Sequence, residues 1–212
     1  DFKKYVAGPE RKKVFINYVR PLIDKANVGI KEDREFVLKL LNNIKKSKKR
    51  SEIEMKKLSM LVTYYEVKAG QSVNQQLVDL TEKINIFPDS LILAQASLES
   101  AWGTSRFAAE GNNFFGQHCF SKGCGISARG DKKVEVAKFV SVYDSIQSYY
   151  RNLNSGKAYK KLRRLRSEEL SKLKKMNSLK LTEGLSDYST LSNGDYAKRL
   201  NEVITFNKLQ QY

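Results

Sequence analysis

Between Pro88 and the glycine at 103 the chain reads DSLILAQASLESAWG. Leu91, Ile92, Leu93, Ala94, Ala96 and Leu98 fall on nearly every side of the helix this segment predicts, with Asp89 or Ser90 as its cap and Gly103 as its stop. A helix without a polar face has to be enclosed, so the rest of the chain must wrap around this one. The run Leu91–Leu98 is also the longest nearly apolar stretch, and Gln95 and Ser97 interrupt it. It falls far short of the roughly 18–20 apolar residues that span a bilayer, so no membrane span is expected.

The flanking patterns supply the wrapping. Phe36, Val37, Leu40, Leu41 and Ile44 repeat with helical period, as do Met55, Leu58, Leu61, Val62 and Tyr65, with a basic connector from Lys45 to Arg50 between them. After a break at Gly70-Gln71-Ser72, Val73, Leu77, Leu80 and Ile84 begin another helix. Val134, Val136 and Lys138 alternate with Glu135, Ala137 and Phe139 at the period of a strand. An Arg129-Gly130-Asp131 turn would pair that strand with Gly125–Ala128 as a short hairpin. Helical patterns resume at Ile146, Tyr149, Tyr150 and Leu153, and the last runs through Tyr196, Leu200, Val203 and Ile204 after a Ser192-Asn193-Gly194-Asp195 turn. The expected fold is mainly α with one small β-hairpin, in a single domain of 212 residues with an N-terminal helical extension. The extension is placed at residues 1–72 and the main domain at 73–212.

Hydrophobic residues at 41% suffice for a core, and 3 Pro with 12 Gly exclude Pro-rich and collagen-like classes. The formal net charge of +16 attracts polyanions, and nucleic acid, an anionic membrane surface or an anionic wall polymer would each satisfy it. Nucleic acid fits worst, because the aromatics gather near Glu99 instead of interleaving the Lys/Arg runs. The basic cluster Lys157, Lys160, Lys161, Arg163, Arg164 and Arg166 reads as a solvated face. Cys119 and Cys124, with Ser-Lys-Gly among the residues between them, can close a short disulfide or remain two reduced thiols, and the spacing leaves both open. A complete zinc site is not expected, since His118 is the only histidine.

Glu99 breaks the local rule. It ends the most apolar helix, where burial and the negative end of the helix dipole both oppose a carboxylate and so favour the protonated acid. A neutral carboxylic acid is what a glycosidase needs to protonate a leaving oxygen. The same residue pointing into solvent is the plain alternative. Downstream, Asn112, Asn113 and Gln117 offer amides to sugar hydroxyls, and Phe114 and Phe115 offer rings to sugar faces; an ordinary turn with two core Phe is again the plain alternative. Glu110 and His118 read as surface polar residues.

These residues carry a resemblance. Leu93–Gly103, Gly111–Gly116, Phe139–Ser145 and Tyr188-Ser189-Thr190 ahead of Tyr196-Ala197 resemble the endo-β-N-acetylglucosaminidases of the flagellar-hydrolase and autolysin type, glycoside hydrolase family 73. Within that family, Ala7–Arg11, the Gly116–Gly125 loop and Asn152-Leu153-Asn154 are similar to the Bax-type group. The resemblance covers about residues 73–212, and the first third is matched only in the Bax-type group.

It implies a lysozyme-like fold with a groove, and hydrolysis of the β-1,4 bond after N-acetylglucosamine in peptidoglycan glycan strands, with no metal or organic cofactor. It implies Glu99 as general acid, Tyr188 beside the scissile sugar, and Trp102, Asn112, Asn113, Phe114, Phe115, Gln117 and Tyr196 as substrate contacts. A periplasmic or cell-surface location also follows, consistent with a Cys119–Cys124 disulfide; any export signal is absent from this sequence, and a monomer is expected. One departure stands out. Many relatives carry a second glutamate in the hairpin, where this chain reads ISARGD, so Glu135 on the strand becomes the candidate second carboxylate. A substrate N-acetyl oxygen acting as nucleophile would need none. A lytic transglycosylase, or a glycan-binding protein without turnover, would fit the same residues.

Overall fold

The computed structural model describes residues 1–46, 49–121, 123–128, 131–173, 175–185 and 195–212. Nine helices run through those residues: α1 (Pro9–Lys45), α2 (Glu52–Tyr64), α3 (Val73–Lys83), α4 (Asp89–Glu99), α5 (Arg106–Gly111), α6 (Val142–Ser155), α7 (Lys160–Leu173), α8 (Ser178–Leu181) and α9 (Asp195–Phe206). Three strands, β1 (His118–Cys119), β2 (Gly125–Ala128) and β3 (Asp131–Ala137), form an antiparallel sheet in the order β1-β3-β2. No described helix is long and apolar enough to cross a membrane.

The chain is mostly helical with a small sheet, as expected, but the single hairpin becomes three strands. His118 pairs with Val136 and Cys119 with Glu135, a ladder too short to leave an alternating pattern in the sequence. Ser127 lies opposite Glu135 from the other side. Arg129 and Gly130 of the expected turn, like Ser192, Asn193 and Gly194 ahead of α9, lie outside the described residues.

Helix starts follow local chemistry. Ser51 and Glu54 form a reciprocal capping box on α2, Ser141 and Asp144 another on α6, and the Ser72 hydroxyl accepts from Gln75 N–H on α3. α1 begins with Pro9 in its first turn, where the missing N–H costs nothing, and continues through Pro21. It therefore extends far upstream of the periodic stretch Phe36–Ile44. Phe15, Val19, Ile23, Ala26, Ile30, Val37 and Leu40 bury one face of it. That face packs on α3, α4 and α6, so residues 1–72 contribute to the same hydrophobic cluster as the rest of the chain.

α4 is the centre. Every residue from Ser90 to Ser97 is buried, as its lack of a polar face requires. Burying Leu91, Ile92 and Leu93 stabilises the fold by about 1.5–3 kcal/mol each. Its expected cap is corrected: Pro88 takes the cap position without a side-chain bond, and Asp89 starts the helix. Asp89 Oδ1 instead accepts from Asn27 Nδ2 at 2.8 Å, tying α4 to α1. The helix ends at Glu99, short of Gly103, because Ala101, Trp102 and Gly103 all adopt positive φ (50°, 56° and 79°). The Ser100 hydroxyl donates to Ala96 O at 2.6 Å and accepts from Gly103 N–H at 2.8 Å, which fixes that reversal. A Cβ at Gly103 would come within 2.2 Å of the Phe2 ring, so any larger residue would have to displace that ring.

The basic stretch on and before α7 is solvated only in part. Arg163 Nη1 donates to the carbonyls of Leu153 and Gly156, both at 2.9 Å. Arg166 is 1% exposed, contrary to the solvated face its neighbours suggested, and its guanidinium lies among backbone carbonyls.

Candidate active site

Glu99 reaches the surface at the end of α4, on the wall of a groove of about 1020 Å³. Burial pushes its carboxyl above the usual carboxylate range, and the Tyr196 hydroxyl, donating to Oε1 at 2.8 Å, draws it part of the way back. α9 delivers Tyr196 with its ring buried and its hydroxyl on the acid. Gly116 runs past the other oxygen at positive φ, and a Cβ there would lie 3.6 Å from Glu99 Oε2. The acid is thus half enclosed, with an opening on the groove.

Tyr196→Phe tests this arrangement. The hydroxyl favours the ionised carboxylate, so its removal raises the pKa of Glu99 further. A carboxyl that serves as an acid catalyst works protonated, so if Glu99 has that role, activity fades as pH climbs through its pKa. The alkaline limb of the pH–rate profile is expected to move to higher pH in the variant. A limb that stays put or moves down would mean that this bond does not govern the titration.

The loop at 112–117, expected to touch sugar, is mostly scaffolding. Phe115 is fully buried and stacked on Tyr149 with centroids 4.1 Å apart. Phe114 is 2% exposed and stacks on Phe15 at 5.7 Å. Neither ring can meet a ligand without unpacking the core. Asn113 is buried too: Nδ2 donates to Gln117 O and Ala137 O, and Oδ1 accepts from the N–H groups of Phe115 and Gln117. Asn112 sits in the left-handed region at the end of α5, with Nδ2 on the carbonyls of Phe139 and Val140. Asn113, Phe114 and Phe115 are therefore buried in place of touching sugar, and Asn112 is not among the residues lining the groove. Their packing holds Gly116 and Gln117 against the groove instead.

Gln117 does line the groove, held by donation from Nε2 to Ser145 O at 3.0 Å and from the Ser148 hydroxyl to Oε1 at 2.9 Å. His118 and the exposed Phe120 line it as well. Trp102 does not. Its ring meets Phe15 edge-on at 5.4 Å and borders a neighbouring hollow. Glu110 stays on the surface, 3.7 Å from Arg106. Tyr188 lies outside the described residues.

Cys119 and Cys124 are joined in a disulfide. Glu135 stands beside it and accepts from Gly123 N–H on Oε1 and Gly125 N–H on Oε2, both at 2.9 Å. The expected second carboxylate therefore anchors the disulfide loop and is not among the residues lining the groove. Potential ligand atoms of Cys119, Cys124 and Glu135 fall within 4.8 Å of one another, but the sulfurs are bonded to each other and leave no thiolate for a metal.

The groove has a wall that the sequence did not reveal. Glu66, at positive φ just past α2, lines it together with Ser148, Arg151 and Asn152 of α6. Arg151 Nη2 lies 3.4 Å from Glu66 Oε1. Lys83 Nζ donates to the carbonyls of Tyr65, Glu66 and Ser155, which pins that turn to α6. Part of this was readable: the core phase Ile146, Tyr149, Tyr150, Leu153 turns Ser148, Arg151 and Asn152 towards another face. Nothing local marked Glu66. Among the described residues lining the groove, Glu66 and Glu99 are the two acids.

The chain is similar to several known proteins. A family model described as mannosyl-glycoprotein endo-beta-N-acetylglucosaminidase matches residues 74–209. Protein bax of Escherichia coli K12 is 31% identical over 191 residues, covering 90% of this chain and 68% of that protein. Exo-glucosaminidase LytG of Bacillus subtilis 168 is 27% identical over 142 residues, covering 63% of this chain and 48% of that protein, so the chain spans about half of its length. The catalytic domain of the autolysin Auto from Listeria monocytogenes aligns with a TM-score of 0.45 and 25% identity, over 77% of this chain and 98% of that one.

Proposed function

The chain belongs to the glucosaminidase family, and on that premise we propose that it is a peptidoglycan hydrolase cleaving the β-1,4 bond after N-acetylglucosamine, with Glu99 as the general acid. One observation carries the reading: a single carboxyl, with its pKa raised by burial, opens on the groove and is held in place by Tyr196. A neutral acid there delivers its proton to the glycosidic oxygen as the bond breaks. The Tyr196 hydroxyl holds one of its oxygens, and the carboxyl lines the groove that would seat the substrate.

Positive charge grows on the sugar ring as the leaving oxygen departs, and a carboxylate across the ring would stabilise it or activate water. Glu66 suits that task better than Glu135, because it faces the groove while Glu135 is bonded to two backbone N–H groups. The family resemblance assigns Tyr188 a position near the scissile sugar, where it would orient the N-acetyl group or a water. A disulfide and a substrate in the wall together support a location outside the cytoplasm.

The test is digestion of purified peptidoglycan, with products reduced by borohydride and read by mass spectrometry. Reduced N-acetylglucosamine ends are expected. Anhydro-muramyl ends would transfer the protein to the transglycosylases, and intact strands would refute hydrolysis. Glu66→Gln and Glu135→Gln in the same assay separate the two carboxylates. Loss of turnover that azide restores is expected for Glu66→Gln alone, and unaffected turnover in that variant would remove Glu66 from the mechanism.

A further inference from the structure

A second hollow, of about 1110 Å³, adjoins the groove and shares Leu98 and Arg199 with it. α1 and α9 build it on either side of the turn after α4. Lys12 of α1 is its centre: Nζ lies 5.1 Å from the Trp102 ring centroid and 4.9 Å from that of Phe206, and donates to Asn207 Oδ1 at 2.7 Å. Two aromatic faces thus hold one ammonium in place. Phe206 is 81% exposed, a large apolar ring that the fold leaves uncovered. Lys198 and Arg199 add two more cations to the rim, against the single acid Glu202.

This surface does not suit more of the glycan backbone, whose N-acetylglucosamine units carry no charge for three cations to meet. It suits what hangs from the backbone. Each muramic acid of peptidoglycan bears a short peptide in which free carboxylates alternate with alanine methyls, and a strand seated on Glu99 places such a peptide within one sugar of the cleavage point. We propose that the Lys12–Trp102–Phe206 hollow binds the acidic stem peptide of the strand being cut. Carboxylates meet Lys198, Arg199 and the outer side of Lys12, while methyl groups rest on Phe206 and Trp102. Arg199 borders both cavities and makes the two surfaces one. The site draws on α1, so it is completed by residues ahead of the segment matched by the family model. The inference rests on the hydrolase reading above.

Chains of peptidoglycan with stems, and the same chains stripped by an N-acetylmuramyl-L-alanine amidase, provide the test. For the unmodified protein, KM on stripped chains is expected to be about tenfold above that on stemmed chains, the scale of one hydrogen bond to a charged group. The double variant Lys198→Glu/Phe206→Ala changes two exposed side chains and should bring the ratio of the two KM values close to one. Equal KM values in the unmodified protein, or an undiminished ratio in the variant, would overturn the proposal. Should neither substrate be cut, the hydrolase reading fails and sedimentation decides the inference by itself. Preferential binding of stemmed chains that the variant loses would sustain it, and equal binding of both would end it.

Discussion

Glu99→Gln is expected to lower turnover on purified peptidoglycan by about 10³-fold, within the 10²–10⁴ range for removing a general acid. The substitution keeps the shape of the side chain, and the Tyr196 hydroxyl can donate to the amide oxygen as it does to the carboxyl. It also removes an ionisable group from a site where burial already disfavours the charge. Stability should therefore stay within about 0.5 kcal/mol of the parent. The amide has no proton to deliver at any pH, so an alkaline fall in activity set by ionisation of Glu99 should vanish from whatever rate remains. Single-turnover kinetics with matched thermal melts measure both parts. Turnover within tenfold of the parent would exclude Glu99 as the acid. A large loss of stability would show that the residue is structural.

Arg166→Met should cost stability heavily, by about 3–5 kcal/mol, since it leaves several buried acceptors unsatisfied at about 1–3 kcal/mol each before relaxation. Arg166 is 1% exposed, and the bonds found for it are not to a carboxylate. Nη2 donates to Glu82 O at 3.0 Å and Lys83 O at 2.9 Å; Nη1 donates to Asn85 O at 3.0 Å and Asn154 Oδ1 at 2.7 Å. Glu82 and Lys83 close α3, so the charge meets unpaired carbonyls at the negative end of a helix dipole. The guanidinium also stacks over Phe87 at 4.4 Å. Methionine fills the volume and strands those acceptors in the interior. For a chain of this size the loss corresponds to a fall in Tm of about 10 °C. Urea titration measures it, and a change under 1 kcal/mol would show that water replaces the guanidinium. Arg166→Lys should recover only part, since an ammonium lacks the planar fork.

What the sequence made legible is tied to periodicity and to rule-breaking. α4 was readable because a helix apolar all round admits one environment, and Glu99 because a carboxylate there violates that environment. The Asn113–Phe115 segment reads differently in the structure for a physical reason. An amide that binds sugar hydroxyls and one that bonds a loop to itself are the same residue type, and only the four bonds of Asn113 tell them apart. Arg166 looked solvated because charge runs usually are; its partners lie some eighty positions upstream, where no local pattern reaches. Glu66 and Arg151 are separated by a similar span. The groove wall is made where Arg151 and Ser155 of α6 bond to the end of α2, the turn after it and Lys83 of α3, and pairwise closeness of that kind leaves no periodic trace.

The core shared by α1 and α4 bears on how such proteins can be taken apart. The recognisable family segment begins at residue 74, yet Phe15 packs between Phe114 and Trp102, and Val19 and Ile23 are fully buried in the cluster that encloses α4. A boundary of sequence similarity is therefore not a seam in this molecule. An excised catalytic fragment would present the raw side of its central helix to solvent, and it would be recovered as aggregate unless α1 were supplied, in the same polypeptide or as a separate complementing piece.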